Sequence, residues 1–157
     1  MGMGLGFPRP GVGASWANAS PGTGKGEALE ARTPDELHPL WVQAHNMGDL
    51  DGMMALCEPD VCFVTWSGRS VAGTDAVREA YRAILASKPH MELASTVEVI
   101  GCGVDLCLVQ FRWTSTASLP DGTSKTFDGL ATDILRRQRD GRWLLVLDNS
   151  YGVRRIP

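Results

Sequence analysis

The segment from Phe127 to Ser150 constrains this chain most. Two runs of alternating apolar and polar residues, Phe127–Gln138 and Arg142–Ser150, flank Asp140-Gly141, a dipeptide suited to the tight turn of a β-hairpin. With Asp140 and Gly141 as the two turn residues, Arg139 pairs with Arg142 and the register of every later pair follows. Asp133 then lies opposite Asp148, with Leu135 opposite Val146 on the same face and Ile134 and Leu147 sharing the other. Apolar residues on both faces predict a sheet covered twice, by helices on one side and by a partner subunit on the other.

The chain before this hairpin supplies the helices and the other strands. Thr33-Pro34-Asp35-Glu36 has the form of a capping box with proline in the first turn. Leu37, Leu40, Trp41 and Ala44 then recur at helical spacing, with Pro39 set to kink the helix or delay its start. Gly48 ends that helix, and Asp49 caps a short second one carrying Leu50, Met53, Met54 and Cys57. Val61–Trp66 reads as a strand. After Gly73, Thr74 caps a third helix with Val77, Ala80, Tyr81, Ile84 and Leu85 on one side. Met91–Ile100 and Asp105–Ser115 read as strands around a Gly101–Gly103 turn, and residues 118–124 as a hairpin loop. Helices first and a long meander last predict an α+β fold, with helices on one face of a curved sheet.

Residues 1–31 differ in kind. Eight of the 18 glycines and three of the nine prolines precede Glu27, with no periodic apolar pattern, so this stretch is expected to be a disordered tail and residues 32–157 a single domain. Pro21–Gly26 resembles a phosphate-binding loop only superficially, because Gly26 stands where Ser or Thr should follow Lys25 and no strand precedes it. A net charge of −3 argues against general nucleic-acid binding. No apolar run has the roughly 18 residues of a membrane span, and the first residues lack the pattern of a signal peptide, so a cytoplasmic protein is expected. The four cysteines, 57, 62, 102 and 107, lack the two-residue spacing of zinc and redox motifs. They are expected to be buried thiols rather than disulfides.

The candidate chemistry centres on Asp133 and Asp148. At an effective dielectric near 20, two carboxylates about 5 Å apart repel by roughly 3 kcal/mol, a little over two pKa units. One of them must hold a proton near neutrality or take a cationic partner, an arrangement that proton-transfer chemistry uses. The alternative is structural: each Asp bonds a backbone N–H or an arginine at the sheet rim. A one-residue bulge at the turn would put the two on opposite faces. Trp41 and His45, one helical turn apart, face the same way, with His38 close by on the preceding turn. Tryptophan can donate one hydrogen bond, and histidine carries protons near pH 7. No set of residues has metal-ligand spacing and no serine sits in a nucleophile elbow, so neither metal nor cofactor is expected.

Gly48-Asp49-Leu50, Pro59-Asp60-Val61-Cys62-Phe63, Gly73 before a helix with Tyr81, and Asp140-Gly141-Arg142-Trp143 together resemble the SnoaL-like branch of the nuclear transport factor 2-like superfamily. That superfamily includes ketosteroid isomerase, scytalone dehydratase, limonene epoxide hydrolase and polyketide cyclases. The resemblance covers residues 33–153 and implies a cone-shaped, cystatin-like mixed sheet around a deep apolar pocket, usually in a homodimer. It implies that Trp41 stands where ketosteroid isomerase has its oxyanion-hole tyrosine, Thr65 where it has its base, and Asp133 where it has its protonated aspartate. Tyr81 matches its second tyrosine, and Asp148 falls at an apolar pocket position. The expected activity is general acid–base catalysis on a small apolar molecule, an isomerisation, cyclisation or dehydration of a polyketide-like or steroid-like substrate. Asp133 and Asp148 would share a proton, His45 would relay or orient, and Trp41 would donate to a developing oxyanion. Trp66, Tyr81, Val109, Phe111 and Thr65 are expected to line the pocket. A non-catalytic ligand-binding or dimerisation module and an epoxide hydrolase-like enzyme are the alternatives.

Overall fold

The computed structural model describes residues 29–119 and 121–152. The glycine-rich stretch before residue 29, with its loop-like 21–26 segment, lies outside the described residues, as does everything after 152. Two residues ahead of residue 32 already contact the domain: Leu29 packs on the core, and buried Ala31 accepts a hydrogen bond from Trp143 N at 2.8 Å.

Pro34–Glu36 forms a single 3₁₀ turn, and helix α1 follows over Leu37–Met47. Pro39 is thus the third residue of α1, where its missing N–H costs nothing and the helix merely starts late. The Glu36 carboxylate accepts from the backbone N–H of Arg32 and Thr33, tying down the entry to the helix. Gly48 ends α1 in the left-handed conformation (φ +68°), which only glycine adopts without cost. Asp49 caps α2, Leu50–Ala55, by accepting from Gly52 N, and α3 spans Thr74–Leu85. No helix among the described residues is long and apolar enough to cross a membrane.

Seven strands among the described residues form one curved, unclosed sheet: β1 (Cys57–Val64), β2 (Ser70–Ala72), β3 (His90–Leu93), β4 (Glu98–Cys102), β5 (Leu106–Ser118), β6 (Ser124–Arg137) and β7 (Trp143–Asp148). Their order is β2-β1-β7-β6-β5-β3, with β4 also on β5; every pair is antiparallel except β1–β7. The single strand expected at 91–100 is two, because β5 is long enough to pair with β4 along its first half and with β3 along its second. The helices cover the concave face, and the core between them includes Leu37, Met53, Val61, Val77, Val109 and Leu145.

Two expectations are corrected. Cys102 and Cys107 form a disulfide, because four intervening residues are what the β4–β5 hairpin needs to set these two directly opposite each other. Cys57 is a buried free thiol and Cys62 a half-buried one. The last hairpin also turns differently: Gln138, not Arg139, pairs with Arg142, leaving three loop residues. The first pairs are therefore Arg137–Trp143, Arg136–Leu144 and Leu135–Leu145, one residue out of the expected register, so Leu135 does not face Val146. Val146 is then extruded as a bulge, and from Ile134–Leu147 onward the expected register returns. Thr132 N donates to Asn149 O at 3.0 Å in that restored register, so Asp133 and Asp148 come to the same face after all.

Candidate active site

Asp133 and Asp148 sit on adjacent strands at one end of the concave face, 2% and 4% exposed. Both line a narrow cleft that opens to solvent. Its walls are Trp41 and Val42 from α1, Met91 from β3, and Phe111 and Trp113 from β5.

The two carboxylates have different partners. Asp133 Oδ1 accepts from Asn149 N at 2.8 Å, while Oδ2 lies 2.7 Å from His38 Nε2. A carboxylate can only accept, so it fixes the proton of a neutral His38 on Nε2 and leaves the Nδ1 lone pair bare. That Nδ1 is buried without a hydrogen-bond partner among the described residues, and the ring is held against Phe111 with centroids 4.2 Å apart. Asp148 instead accepts from Tyr81 Oη at Oδ2 and from Ser150 Oγ at Oδ1, both at 2.7 Å. Burial, and then the Asp133 charge, push the Asp148 carboxyl up to about 7, against the opposing pull of Tyr81, Ser150 and His38. Tyr81 is fully buried, and burial together with the Asp148 charge raises its hydroxyl well above the usual range, so it remains a donor. Behind it, burial pushes the Cys57 thiol up to about 12, which keeps it protonated and inert.

The expected site is only partly gathered here. Trp41 lines the cleft, and its Nε1 is a buried donor without a partner among the described residues. His45 does not take the relay position. It stacks on Trp41 at 5.3 Å, and its Nδ1 lies 3.2 Å from Asn46 Oδ1, which already accepts from Met91 N. Burial lowers its pKa, and His38, two turns earlier on α1, takes the aspartate instead. Phe111 lines the cleft. Tyr81 lies behind Asp148 rather than in the wall, and Val109 is buried in the core beside Asp133 in the ladder. Thr65 falls in the turn after β1, where its hydroxyl binds Arg69 O, and Trp66 beside it is 70% exposed. Neither reaches the cleft. Trp113, Met91 and Ser150 were not foreseen. Strand alternation from Phe111 could have found Trp113, whereas Ser150 follows the bulge and carried no local signal.

The sequence profile of the SnoaL-like domain matches residues 40–146, and the chain belongs to that family. Solved structures place it among nuclear transport factor 2-like folds. A protein of that superfamily from Salmonella enterica superposes with a TM-score of 0.68 at 16% identity, over 78% of this chain and 90% of the other. A ketosteroid isomerase-like protein from Erwinia carotovora gives 0.62 at 17% identity over 72% and 88%. A candidate dehydratase of the NTF2-like family from Streptomyces avermitilis gives 0.62 at 20% identity over 72% and 88%. One curated relative, N-succinylglutamate 5-semialdehyde dehydrogenase from Cronobacter sakazakii, is 31% identical over 69% of this chain, which spans a quarter of that protein's length.

Proposed function

We propose that this chain is an enzyme that moves protons on a small, largely apolar carbonyl compound, in an isomerisation, cyclisation or dehydration. One observation carries the reading: two buried carboxylates share one cleft, and one of them is poised to hold a proton near pH 7. His38 Nδ1, oriented by Asp133, takes a proton from the carbon next to the carbonyl. Asp148 gives its own proton to the carbonyl oxygen as the enol forms, and Trp41 Nε1 donates a hydrogen bond to that oxygen. Reversal returns a proton to the same carbon or to a conjugated one. The relatives described as isomerase-like and dehydratase support this class of reaction.

The test is exchange of the α-protons of 2-tetralone in D₂O, followed by proton NMR. The wild type accelerates exchange above the buffer rate, while Asp148→Asn and His38→Gln return it to the buffer rate with the fold intact. Wild-type exchange no faster than buffer refutes the reading, and binding without exchange assigns the cleft to a ligand carrier.

The same reading includes a homodimer. Leu108, Ile134, Leu147 and Cys62 are cross-strand neighbours in one row over four strands of the face away from the helices, flanked by the exposed Leu106 and Leu130. An apolar row of this kind suits a second copy of the chain. Sedimentation of the wild type as a dimer, and of Ile134→Lys as a monomer, checks this.

A further inference from the structure

The concave face of β6 reads Gly129, Ala131, Asp133, and the facing residues of β5 read Trp113, Phe111, Val109. The two aromatic side chains of this row, Phe111 and Trp113, are set against the two smallest residues of β6, Ala131 and Gly129. The pairing is tightest at Gly129. A Cβ there would meet the Trp113 indole at 2.6 Å, well inside van der Waals contact. The indole is fixed on its other sides too. Its Nε1 donates to Ser150 O at 2.7 Å, and Tyr151 packs edge-on with ring centroids 5.5 Å apart. It is 4% exposed and lines the cleft.

Trp113 lies four residues along β5 from Val109, the residue beside Asp133, which is about 14 Å at strand spacing. Phe111 lies midway, on the same face. Asp133, Asp148, Phe111 and Trp113 line one cleft, so a flat molecule long enough to span it from the acid pair would meet the indole.

We propose that Trp113 is the specificity-determining end wall of the cleft, setting the length of flat ligand it takes, and that Gly129 has no side chain so that the wall can stand there. This rests on reading the cleft as a ligand site, but not on catalysis. The test measures binding of phenol, 2-naphthol and 2-hydroxyanthracene to the full chain by calorimetry, with circular dichroism confirming the fold of each variant.

The wild type prefers 2-naphthol to 2-hydroxyanthracene. Trp113→Ala reverses that preference by about tenfold or more, and Trp113→Leu, a milder change that keeps the strand apolar, shifts it the same way by less. Gly129→Ala pushes the indole into the cleft and weakens 2-naphthol by about tenfold, yet has no effect when Trp113 is already alanine. Two results overturn the proposal while leaving the acid–base reading standing. In one, Trp113→Ala changes all three affinities by a common factor. In the other, Gly129→Ala costs the same with and without the indole. Failure of all three probes to bind the wild type overturns both.

Discussion

Replacing Asp148 by asparagine isolates the cost of keeping a second acid in the site. In the folded chain the carboxyl is raised from 3.8 to about 7, so the native state binds its proton more tightly than the unfolded state does. The sign follows: this group's contribution to stability is fully present below about pH 4 and is lost as pH rises through 7. Three units at 1.36 kcal/mol each make the whole swing about 4 kcal/mol, with more than half of it falling between pH 5 and pH 8. Asparagine carries no charge at any of these pH values. Its Oδ1 still accepts from Tyr81, and its amide can face the Ser150 hydroxyl. The variant should therefore gain on the wild type by roughly 2–3 kcal/mol between pH 5 and pH 8. Urea unfolding at constant ionic strength, followed by tryptophan fluorescence, measures both proteins across that range. Tyr81 and Cys57, on which the Asp148 charge also acts, stay protonated throughout this range, so the difference reports Asp148 together with the Asp133 charge it faces. A gap that stays constant to within about 1 kcal/mol over the range would refute the reasoning.

Tyr81→Phe removes a donor to the Asp148 carboxylate, so carbon NMR of that carboxyl should show a midpoint above the wild-type one, and stability at pH 8 should fall by about 1–3 kcal/mol. His38→Ala strips a buried partner from Asp133 and opens a cavity; chemical denaturation at pH 7 should register a loss of about 3 kcal/mol or more. Gly152→Ala should cost about 1–3 kcal/mol in the same assay, since φ there is +60° and the new methyl would lie 2.6 Å from Leu130 O. Alkylation of the denatured chain should label two cysteines, 57 and 62, before reduction and all four after it, as counted by mass spectrometry.

Much of the fold was legible because its signals are local. The caps at Asp49 and Gly48, the helical spacing of Leu37–Ala44 and the alternation of β5 and β6 each depend on a few neighbouring residues, and all of them appear in the structure. What escaped depends on distant pairing. The split into β3 and β4 is set by the length of β5, which the β3–β4 sequence does not encode. The disulfide follows from a register, not from a spacing motif. In the site, helical periodicity put His38, Trp41 and His45 on one side of α1 but could not say which histidine meets the sheet. Small differences of helix placement decide that, and they bring His38 to Asp133 while turning His45 to Asn46. Thr65 and Trp66 were assigned by likeness to relatives, and such transfer fails where β1 ends in a turn of its own.

The meeting of the two acids is the most telling outcome, because it was expected for a reason that is only half right. A two-residue turn would have brought Asp133 and Asp148 together directly. The three-residue loop that forms instead shifts the register by one, which would have left Asp133 opposite Leu147 and sent Asp148 to the outer face. The bulge at Val146 reverses the shift within four residues of the start of β7 and returns Asp148 to the concave side. The burial of β7 records the change of parity: Trp143 and Leu145 are buried, then Asp148. A bulge gives up ladder pairing, and here it delivers a carboxyl into a space where its charge is disfavoured by about 4 kcal/mol, a large fraction of a small domain's 5–15 kcal/mol. An asparagine at 148 would keep an acceptor for Tyr81 without bringing a charge into the site at neutral pH. Departures from local regularity that lower stability and converge on one cleft are characteristic of functional sites. That convergence favours the acid–base reading over a purely structural role for the pair.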